Sequence, residues 1–353
     1  MRLAKDVTVS QLTGYDDIID VRSPAEYAED HIPGAISAPV LDNEERALVG
    51  TLYAQASPFE AKKRGAALIS RNIATHLETL FKDKPRDWRP LVYCWRGGQR
   101  SGAMAHILAQ VGWQVARLEG GYKTYRRHVL AELQSLPGTF EFRVVCGATG
   151  SGKSRLLHAL HQQGTQVLDL EGLAKHRGSL LGNLPDEPQP AQKMFDSLVW
   201  NALRGFDPGQ PVYVEAESRK IGKLTVAEAL IDAIRGSACI LIDAPVAARV
   251  QLLMEDYAHF LRDPALLAQR LAPLAILHGH KLLEHWDALA RRGAWEELVG
   301  ELLTRHYDPA YRRSTEANFA SLAHATRVQL ERLDQPSLSE AAARLHEPQR
   351  AAA

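Results

Sequence analysis

Short apolar runs alternate with longer stretches of mixed polarity along most of the chain. The runs have the length of buried strands and cover residues 17–22, 36–38, 91–93, 142–146, 166–171, 212–214 and 238–243. Helical spacing of apolar residues follows several of them, as in Leu156, Leu157 and Leu160. Helices are also predicted to begin at Ser23-Pro24 and near Ser101, and to cover 122–136 and 191–204.

This alternation defines an α/β fold class. From 142 to 243 it predicts a parallel, doubly wound sheet, interrupted by an irregular Gly- and Pro-rich loop at 178–190. Residues from 246 onward are predicted to be a helical C-terminal extension, and the tail beyond Pro348 is predicted to be disordered.

One glycine-rich loop matches a phosphate-binding pattern. Residues 147–154 fit G-x-x-x-x-G-K-[ST] and stand between a predicted strand and a predicted helix, which is the context the P-loop requires. Backbone N–H groups and the helix N-terminus would hold phosphate oxygens. Lys153 would reach the terminal phosphate, and Ser154 would ligate Mg²⁺. The predicted phosphate-binding residues are Gly147, Gly150, Ser151, Gly152, Lys153 and Ser154.

A later strand, from residue 212, runs directly into acidic residues. In a P-loop domain an acid at a strand end can position Mg²⁺ or a water, so Glu215 or Glu217 is the candidate. A salt-bridged strand end is the alternative interpretation. Cys146 and Cys239 lie in apolar runs and are predicted to be core residues.

The cysteine at the end of another strand has different surroundings. Cys94 follows the run at 91–93 and precedes two glycines, Arg96, Arg100 and a helix start. In open α/β sheets ligands bind at the carboxyl ends of strands, and a helix N-terminus with flanking arginines stabilises a thiolate. The spacing from Cys94 to Arg100 is C-x₅-R, and a wide ring of N–H groups facing Arg100 suits a tetrahedral oxyanion. A phosphate-like donor and a phosphatase activity both fit this loop.

Bulk composition limits the class of protein. The chain has 353 residues, enough for two or three domains, with 45% hydrophobic and 24% charged residues, as in ordinary soluble proteins. Three cysteines without a CxxC pair argue against disulfides and a zinc site. The absence of a signal-like N-terminus and of a long apolar stretch favours the cytoplasm and no membrane association.

Because the net charge is zero, a nucleic-acid partner must use local basic patches. We expect RNA rather than DNA to be the partner. The candidates are Lys123, Arg126, Arg127, Arg219, Lys220, Arg312 and Arg313.

The first part of the chain resembles a rhodanese domain. The resemblance rests on the segments 20–22, 26–27, 31–35 and 118–122 together with the Cys94 loop. It implies that Cys94 carries sulfur or selenium as a persulfide or perselenide, and that Asp20 and Arg22 brace the loop. The loop is one residue longer than the usual rhodanese loop and is similar to that of rhodanese-like phosphatases. The predicted organisation is a rhodanese-like domain at 5–130, a linker at 131–140 and a P-loop domain with its helical extension at 141–345.

Three segments in order, 94–101, 147–154 and 217–222, resemble the tRNA 2-selenouridine synthase family over nearly the whole chain. The resemblance implies a transferase that acts on tRNA carrying 2-thiouridine at the wobble position of the anticodon. It implies geranylation of the sulfur by geranyl diphosphate and then selenation by selenophosphate. No tightly bound cofactor is implied, and a selenophosphate synthase would supply the donor.

Two other classes stay open at this point. An ATP-dependent kinase or sulfurtransferase would show nucleotide turnover that depends on Lys153. A non-catalytic RNA-binding protein would not require Cys94, Arg96 and Arg100 to be intact.

Overall fold

A computed structural model describes residues 4–96 and 98–346. The chain forms two compact units. The first comprises the chain through residue 132 together with 191–201, and the second comprises 133–190 and the chain from 202 onward. Gly97 and the predicted disordered tail lie outside the described residues.

The strands are β1 Lys5–Val7, β2 Asp17–Asp20, β3 Ile36–Ser37, β4 Pro90–Tyr93, β5 Ala116–Leu118, β6 Phe142–Gly147, β7 Gln166–Leu168, β8 Val212–Glu215, β9 Lys220–Ile221, β10 Leu224–Thr225, β11 Ala238–Asp243 and β12 Thr326–Gln329. The helices are α1 Pro24–Glu29, α2 Asn43–Gln55, α3 Pro58–Glu78, α4 Gln99–Val111, α5 Gly121–Ser135, α6 Lys153–Gln162, α7 Leu170–Ala174, α8 Gln192–Leu203, α9 Glu228–Arg235, α10 Val246–Asp256, α11 Ala258–Arg262, α12 Pro264–Leu271, α13 Ala275–His278, α14 His280–Arg291, α15 Trp295–Leu302, α16 Asp308–Asn318 and α17 Gln335–His346. A π-helical turn, Leu303–Tyr307, joins α15 to α16.

The first unit is built on a five-stranded sheet in the order β1-β5-β4-β2-β3, and every pairing is parallel. Its strands are apolar because helices cover them; Ile19 and Val92 are fully buried and pack with Met104 and Leu108 of α4. The strands β2 and β4 are neighbours, so the residues that follow them meet at one edge of the sheet.

The second unit has a five-stranded parallel sheet in the order β12-β11-β6-β8-β7 and a separate antiparallel hairpin, β9-β10. The chain starts at the central strand β6, adds β8 and β7 on one side, and then adds β11 and β12 on the other. That reversal at the carboxyl end of β6 is a topological switch point, where ligands bind in such sheets. The predicted fold class is therefore confirmed: two parallel α/β sheets with a helical C-terminal extension.

Three local expectations were wrong. The region after 246 is not wholly helical, because β12 pairs in parallel with β11 and extends the sheet. The strand at 166–171 ends at Leu168, since Asp169 accepts a hydrogen bond from Gly172 N–H and caps α7. The helix after the phosphate loop was expected to begin at Arg155, but it starts at Lys153. The domain bounds and linker stay a prediction; α5 continues to Ser135 and a short 3₁₀ turn follows it.

The helical extension has a core of its own. Buried leucines of α12, α14 and α15 pack around Trp286, whose indole N–H donates to Glu301. No helix in the described part of the chain is long and apolar enough to cross a membrane. Cys146 and Cys239 are buried, as predicted.

Candidate functional site

The Cys94 loop leaves the buried end of β4 and enters α4. The Cys94 side chain is 4% exposed, and its Sγ lies 3.2 Å from the Ser101 hydroxyl in the first turn of α4. Tyr122 N–H donates to the Cys94 carbonyl at 2.8 Å, so the start of α5 also holds the loop. Among the neighbouring side chains Trp95 and Arg96 are exposed. The thiol is thus fixed at the floor of a loop whose rim faces solvent.

Arg100 is half-buried and paired. Its guanidinium donates to both carboxylate oxygens of Glu26, at 2.6 and 3.1 Å. Burial is the largest single effect and raises the pKa of Glu26, but the hydrogen bond and charge of Arg100, the Ser23 N–H and the charge of Arg22 together outweigh it and lower the pKa to about 2. Glu26 therefore stays ionised and fixes the orientation of Arg100, a contact that the sequence did not predict.

Asp20 and Arg22 form a buried ion pair below the loop. Arg22 Nη2 lies 2.6 Å from Asp20 Oδ2, and both side chains are at most 1% exposed. The guanidinium also donates to the Asp30 carbonyl and stacks 4.0 Å from the Tyr122 ring centre. Because Tyr122 holds the Cys94 carbonyl, the pair supports the loop through an intermediate residue.

The phosphate loop of the second unit has tight backbone turns. Gly150 and Gly152 have φ of +76° and +85°, which glycine adopts without strain. A Cβ atom at Gly147 would lie 2.4 Å from the Ser151 hydroxyl, so a side chain there would collide with the loop. The Ser151 hydroxyl is buried and has no hydrogen-bond partner among the described residues. Ser151 N–H donates to the Ala148 carbonyl at 3.0 Å, which closes a four-residue turn directly before the start of α6.

Lys153 lies inside this loop, against an aromatic residue from the helical extension. Its Nζ donates to the Gly147 carbonyl at 2.8 Å and lies 5.5 Å from the ring centre of Tyr311. The Tyr311 hydroxyl in turn accepts the Gly147 N–H at 2.6 Å. Tyr311 thus completes the wall of the phosphate loop, although no sequence signal links it to this loop.

Acidic side chains face the loop from the ends of β7 and β8. Ser154 Oγ donates to Glu171 at 3.0 Å, and Glu171 N–H donates to Glu215 at 2.8 Å. Burial, followed by the charge of Glu171, raises the pKa of Glu217 to about 8. Burial also raises the pKa of Glu215 well above its ordinary value, and one of its oxygens has no partner among the described residues.

Glu171, which was not among the candidate acids, is part of this arrangement. Ser154 contacts Glu171 rather than Glu215 or Glu217, and within residues 4–96 and 98–346 no group of three or more His, Cys, Asp and Glu side chains is arranged to hold a metal ion. No ion pair within those ranges involves Glu215 or Glu217, so the salt-bridged strand end is wrong. A Mg²⁺ site at these acids stays a prediction.

A cleft of about 770 Å³ opens above the loop. Its lining includes four cationic side chains, Lys153, Arg155, Arg177 and Arg235, and four carboxylates, Asp169, Glu171, Glu217 and Asp256. Arg155 is paired with Glu255 and Asp256, and Tyr257, Tyr307 and Tyr311 form an aromatic side. Arg177 stacks 4.7 Å from the ring centre of Tyr257, which directs the guanidinium along the cleft wall. The cleft therefore offers an anionic group a backbone cradle with Lys153 and Arg177 beside it.

The predicted RNA-binding residues differ in accessibility. Arg126 is half-buried, paired with Asp196 and bonded to the Lys193 carbonyl, so its charge is already partnered within the first unit. The other candidates are exposed: Lys123, Arg127, Arg219, Lys220, Arg312 and Arg313.

Comparison with models of known domain families identifies two domains in this chain. A rhodanese-like domain model matches residues 7–128, and a P-loop-type domain model, described as the tRNA 2-selenouridine synthase AAA domain, matches 140–292. The fold and both sites therefore define a rhodanese domain fused to a P-loop domain.

Known proteins that are similar over most of the chain identify its family. The tRNA 2-selenouridine synthase of Nitrosomonas europaea is 36% identical over 274 residues, covering 75% of this chain and 70% of that protein. The synthase of Aeromonas salmonicida is 33% identical over 330 residues, covering 84% and 87%. That of Hydrogenovibrio crunogenus is 35% identical over 251 residues, covering 68% and 67%. The chain belongs to the tRNA 2-selenouridine synthase family.

Proposed function

We propose that this protein converts 2-thiouridine at the wobble position of tRNA to 2-selenouridine, with geranyl diphosphate and selenophosphate as the other substrates. The observation that carries the proposal is the presence, in one chain of this family, of two assembled sites. One is the buried Cys94 thiol at a sheet edge, and the other is the phosphate loop below the cleft that Lys153 and Arg177 line.

The first step assigned to the phosphate loop is alkylation of sulfur. The thiouridine sulfur attacks C1 of geranyl diphosphate, the C1–O bond breaks, diphosphate leaves with the electron pair, and the N3 proton of the base is released. Negative charge grows on the leaving oxygen, and a fixed cation beside a backbone cradle stabilises such charge strongly. Lys153 and Arg177 are two of the four cations that line this cleft. If Mg²⁺ enters with the diphosphate, the oxygens of Ser154 and Glu171 would hold it and it would neutralise phosphate charge.

The second step replaces the sulfur. Selenium of selenophosphate attacks C2 of the base, the geranyl thiolate leaves, and a phosphoryl group remains on selenium. Loss of that group gives 2-selenouridine. Alkylation makes sulfur a good leaving group, which explains why geranylation precedes selenation.

Cys94 fits removal of the phosphoryl group. Its thiolate would attack phosphorus, the P–Se bond would break with both electrons going to selenium, and water would then release phosphate from the cysteine. This route is redox-neutral, whereas a perselenide made directly from selenophosphate would leave phosphorus reduced. The C-x₅-R spacing and the Ser101 hydroxyl at 3.2 Å from Sγ support phosphorus chemistry. The exposed Trp95 beside Cys94 offers a face on which the base can stack.

The test uses purified full-length protein, thiolated tRNA, geranyl diphosphate and selenophosphate without ATP. Mass spectrometry of the digested nucleosides should detect S-geranyl-2-thiouridine with geranyl diphosphate alone and 2-selenouridine when both are present. Geranylation should release diphosphate, and the inorganic product of selenation should be phosphate. An absolute requirement for ATP would favour the ATP-dependent sulfurtransferase or kinase instead, and phosphite as product would restore the perselenide route.

A further inference from the structure

An apolar pocket of about 60 Å³ lies beside the phosphate loop, inside the helical extension. Its walls come from α10, α11, α12 and α15 together with the π-helical turn. The residues that give it its character are Met254, Phe260, Leu267, Trp295, Leu298 and Val299. Among residues 4–96 and 98–346, no lysine, arginine, aspartate or glutamate lines it. A charged or strongly polar group would lose its hydration there without a partner.

This pocket shares part of its wall with the cleft above the phosphate loop. Thr149, Ser179, Leu253, Tyr257 and Tyr307 line both. A Cβ atom at Gly150 would lie 2.8 Å from Leu253 Cγ, so the backbone of the phosphate loop packs directly on the pocket wall. A phosphate group held by the loop is therefore within one side chain of an apolar cavity.

We propose that this pocket binds the hydrocarbon chain of an allylic diphosphate, with the diphosphate in the phosphate loop. The inference rests on the proposed function, because that function requires one ligand with an anionic head and an apolar chain. The cleft supplies cations for the head, and the pocket supplies an uncharged wall for the chain. The apolar pocket does not fit a nucleotide base, which needs polar partners for its edge.

The size of the pocket assigns the two halves of a geranyl chain. A water molecule needs about 10–15 Å³ of such volume, so the pocket takes about four to six carbon-sized groups, or one isoprene unit. The distal isoprene unit lies in the pocket. The allylic unit lies at the junction between Tyr257 and Tyr307, where aromatic faces stabilise positive charge that develops at C1.

Calorimetric binding to the full-length protein tests this assignment without tRNA. Geranyl diphosphate and inorganic diphosphate are compared in wild type, in Val299→Phe, which fills the pocket, and in Val246→Phe, an exposed position outside both cavities. Burial of about five carbons predicts that wild type binds geranyl diphosphate up to about 10³-fold more tightly than inorganic diphosphate. Val299→Phe should lose most of that difference and keep its affinity for inorganic diphosphate, and Val246→Phe should match wild type.

A second variant covers a folding failure of the first. Leu298→Ala enlarges the pocket and should shift the preference towards farnesyl diphosphate, which carries one more isoprene unit. Unchanged chain dependence in Val299→Phe and Leu298→Ala would overturn the pocket assignment. If wild type shows the expected binding but never geranylates tRNA, the proposed function fails and the pocket stands. If tRNA is geranylated with the same KM for geranyl diphosphate in both variants, the pocket fails and the function stands.

Discussion

Replacement of Lys153 by alanine isolates the work of the phosphate loop. The ammonium group is the one cation placed inside the loop, where it donates to the Gly147 carbonyl and contacts the Tyr311 ring. A hydrogen bond from a charged donor contributes about 1.5–3 kcal/mol. Removal of one donor that stabilises a developing oxyanion lowers kcat by about 10²–10³. We therefore expect kcat/KM for geranyl transfer to fall by about 10²–10³ in Lys153→Ala.

The same substitution should leave the fold intact. Loss of the charged hydrogen bond to Gly147 costs about 1.5–3 kcal/mol, which is less than the ~5–15 kcal/mol of a typical domain. Nucleoside mass spectrometry of thiolated tRNA measures geranylation, and Lys281→Ala, an exposed lysine of α14, is the matched control. Selenation of tRNA that already carries the geranyl group should survive in Lys153→Ala.

Two results would refute this reasoning. Geranyl transfer at the wild-type rate in Lys153→Ala would show that the loop does not hold the leaving diphosphate. Equal loss of both steps would show that the phosphate loop also acts in selenation, so that the steps are not divided between the two sites.

The remaining predictions concern the thiol, the tyrosine wall, the acids and the RNA surface. Cys94→Ser should form no 2-selenouridine and should accumulate the Se-phosphorylated base that precedes it; normal selenouridine formation would contradict its role. Tyr311→Phe leaves the first glycine N–H of the loop without its acceptor, which costs about 1–3 kcal/mol, so KM for geranyl diphosphate should rise, whereas Tyr213→Phe, which loses a bond to a distant carbonyl, should not change it. Glu217 has a pKa of about 8 in the folded protein, against an ordinary value of 4.5. Because the folded state binds the extra proton, the free energy of unfolding should fall as the pH rises between these values. Glu217→Gln should flatten that decline in thermal melts, and an equally steep decline would contradict the assignment. Arg127→Ala should reduce the slope of log K for tRNA against log salt by about 1, and an unchanged slope would remove it from the binding surface.

The sequence predicted the parts of the fold that depend on local pattern. Apolar runs placed the strands around Cys94 and Gly147 correctly, because buried parallel strands carry apolar residues on both faces. The strand β12 was not predicted because only Val328 of its four residues is apolar, and because its pairing with β11 is a long-range contact. The predicted extension of β7 failed because a cap at Asp169 competes with the strand.

The candidate site was predictable where one segment contains it. The phosphate loop is contiguous in sequence, so its residues could be found from spacing alone. Glu26, Tyr122 and Tyr311 reach the sites from elements far along the chain, and no local signal marks them. The apolar pocket is invisible in sequence for the same reason: its leucines have ordinary helical spacing, and only packing separates a wall residue from a core residue.

Complementation between two inactive variants tests the central claim, a division of labour between the thiol site and the phosphate loop, most directly. Lys153→Ala and Cys94→Ser are each incubated with thiolated tRNA, geranyl diphosphate and selenophosphate, alone and as a mixture, and the nucleosides are analysed by mass spectrometry. We predict unreacted 2-thiouridine with the first, the Se-phosphorylated base with the second, and 2-selenouridine with the mixture. Absence of 2-selenouridine from the mixture, under conditions in which wild type forms it, would contradict the division.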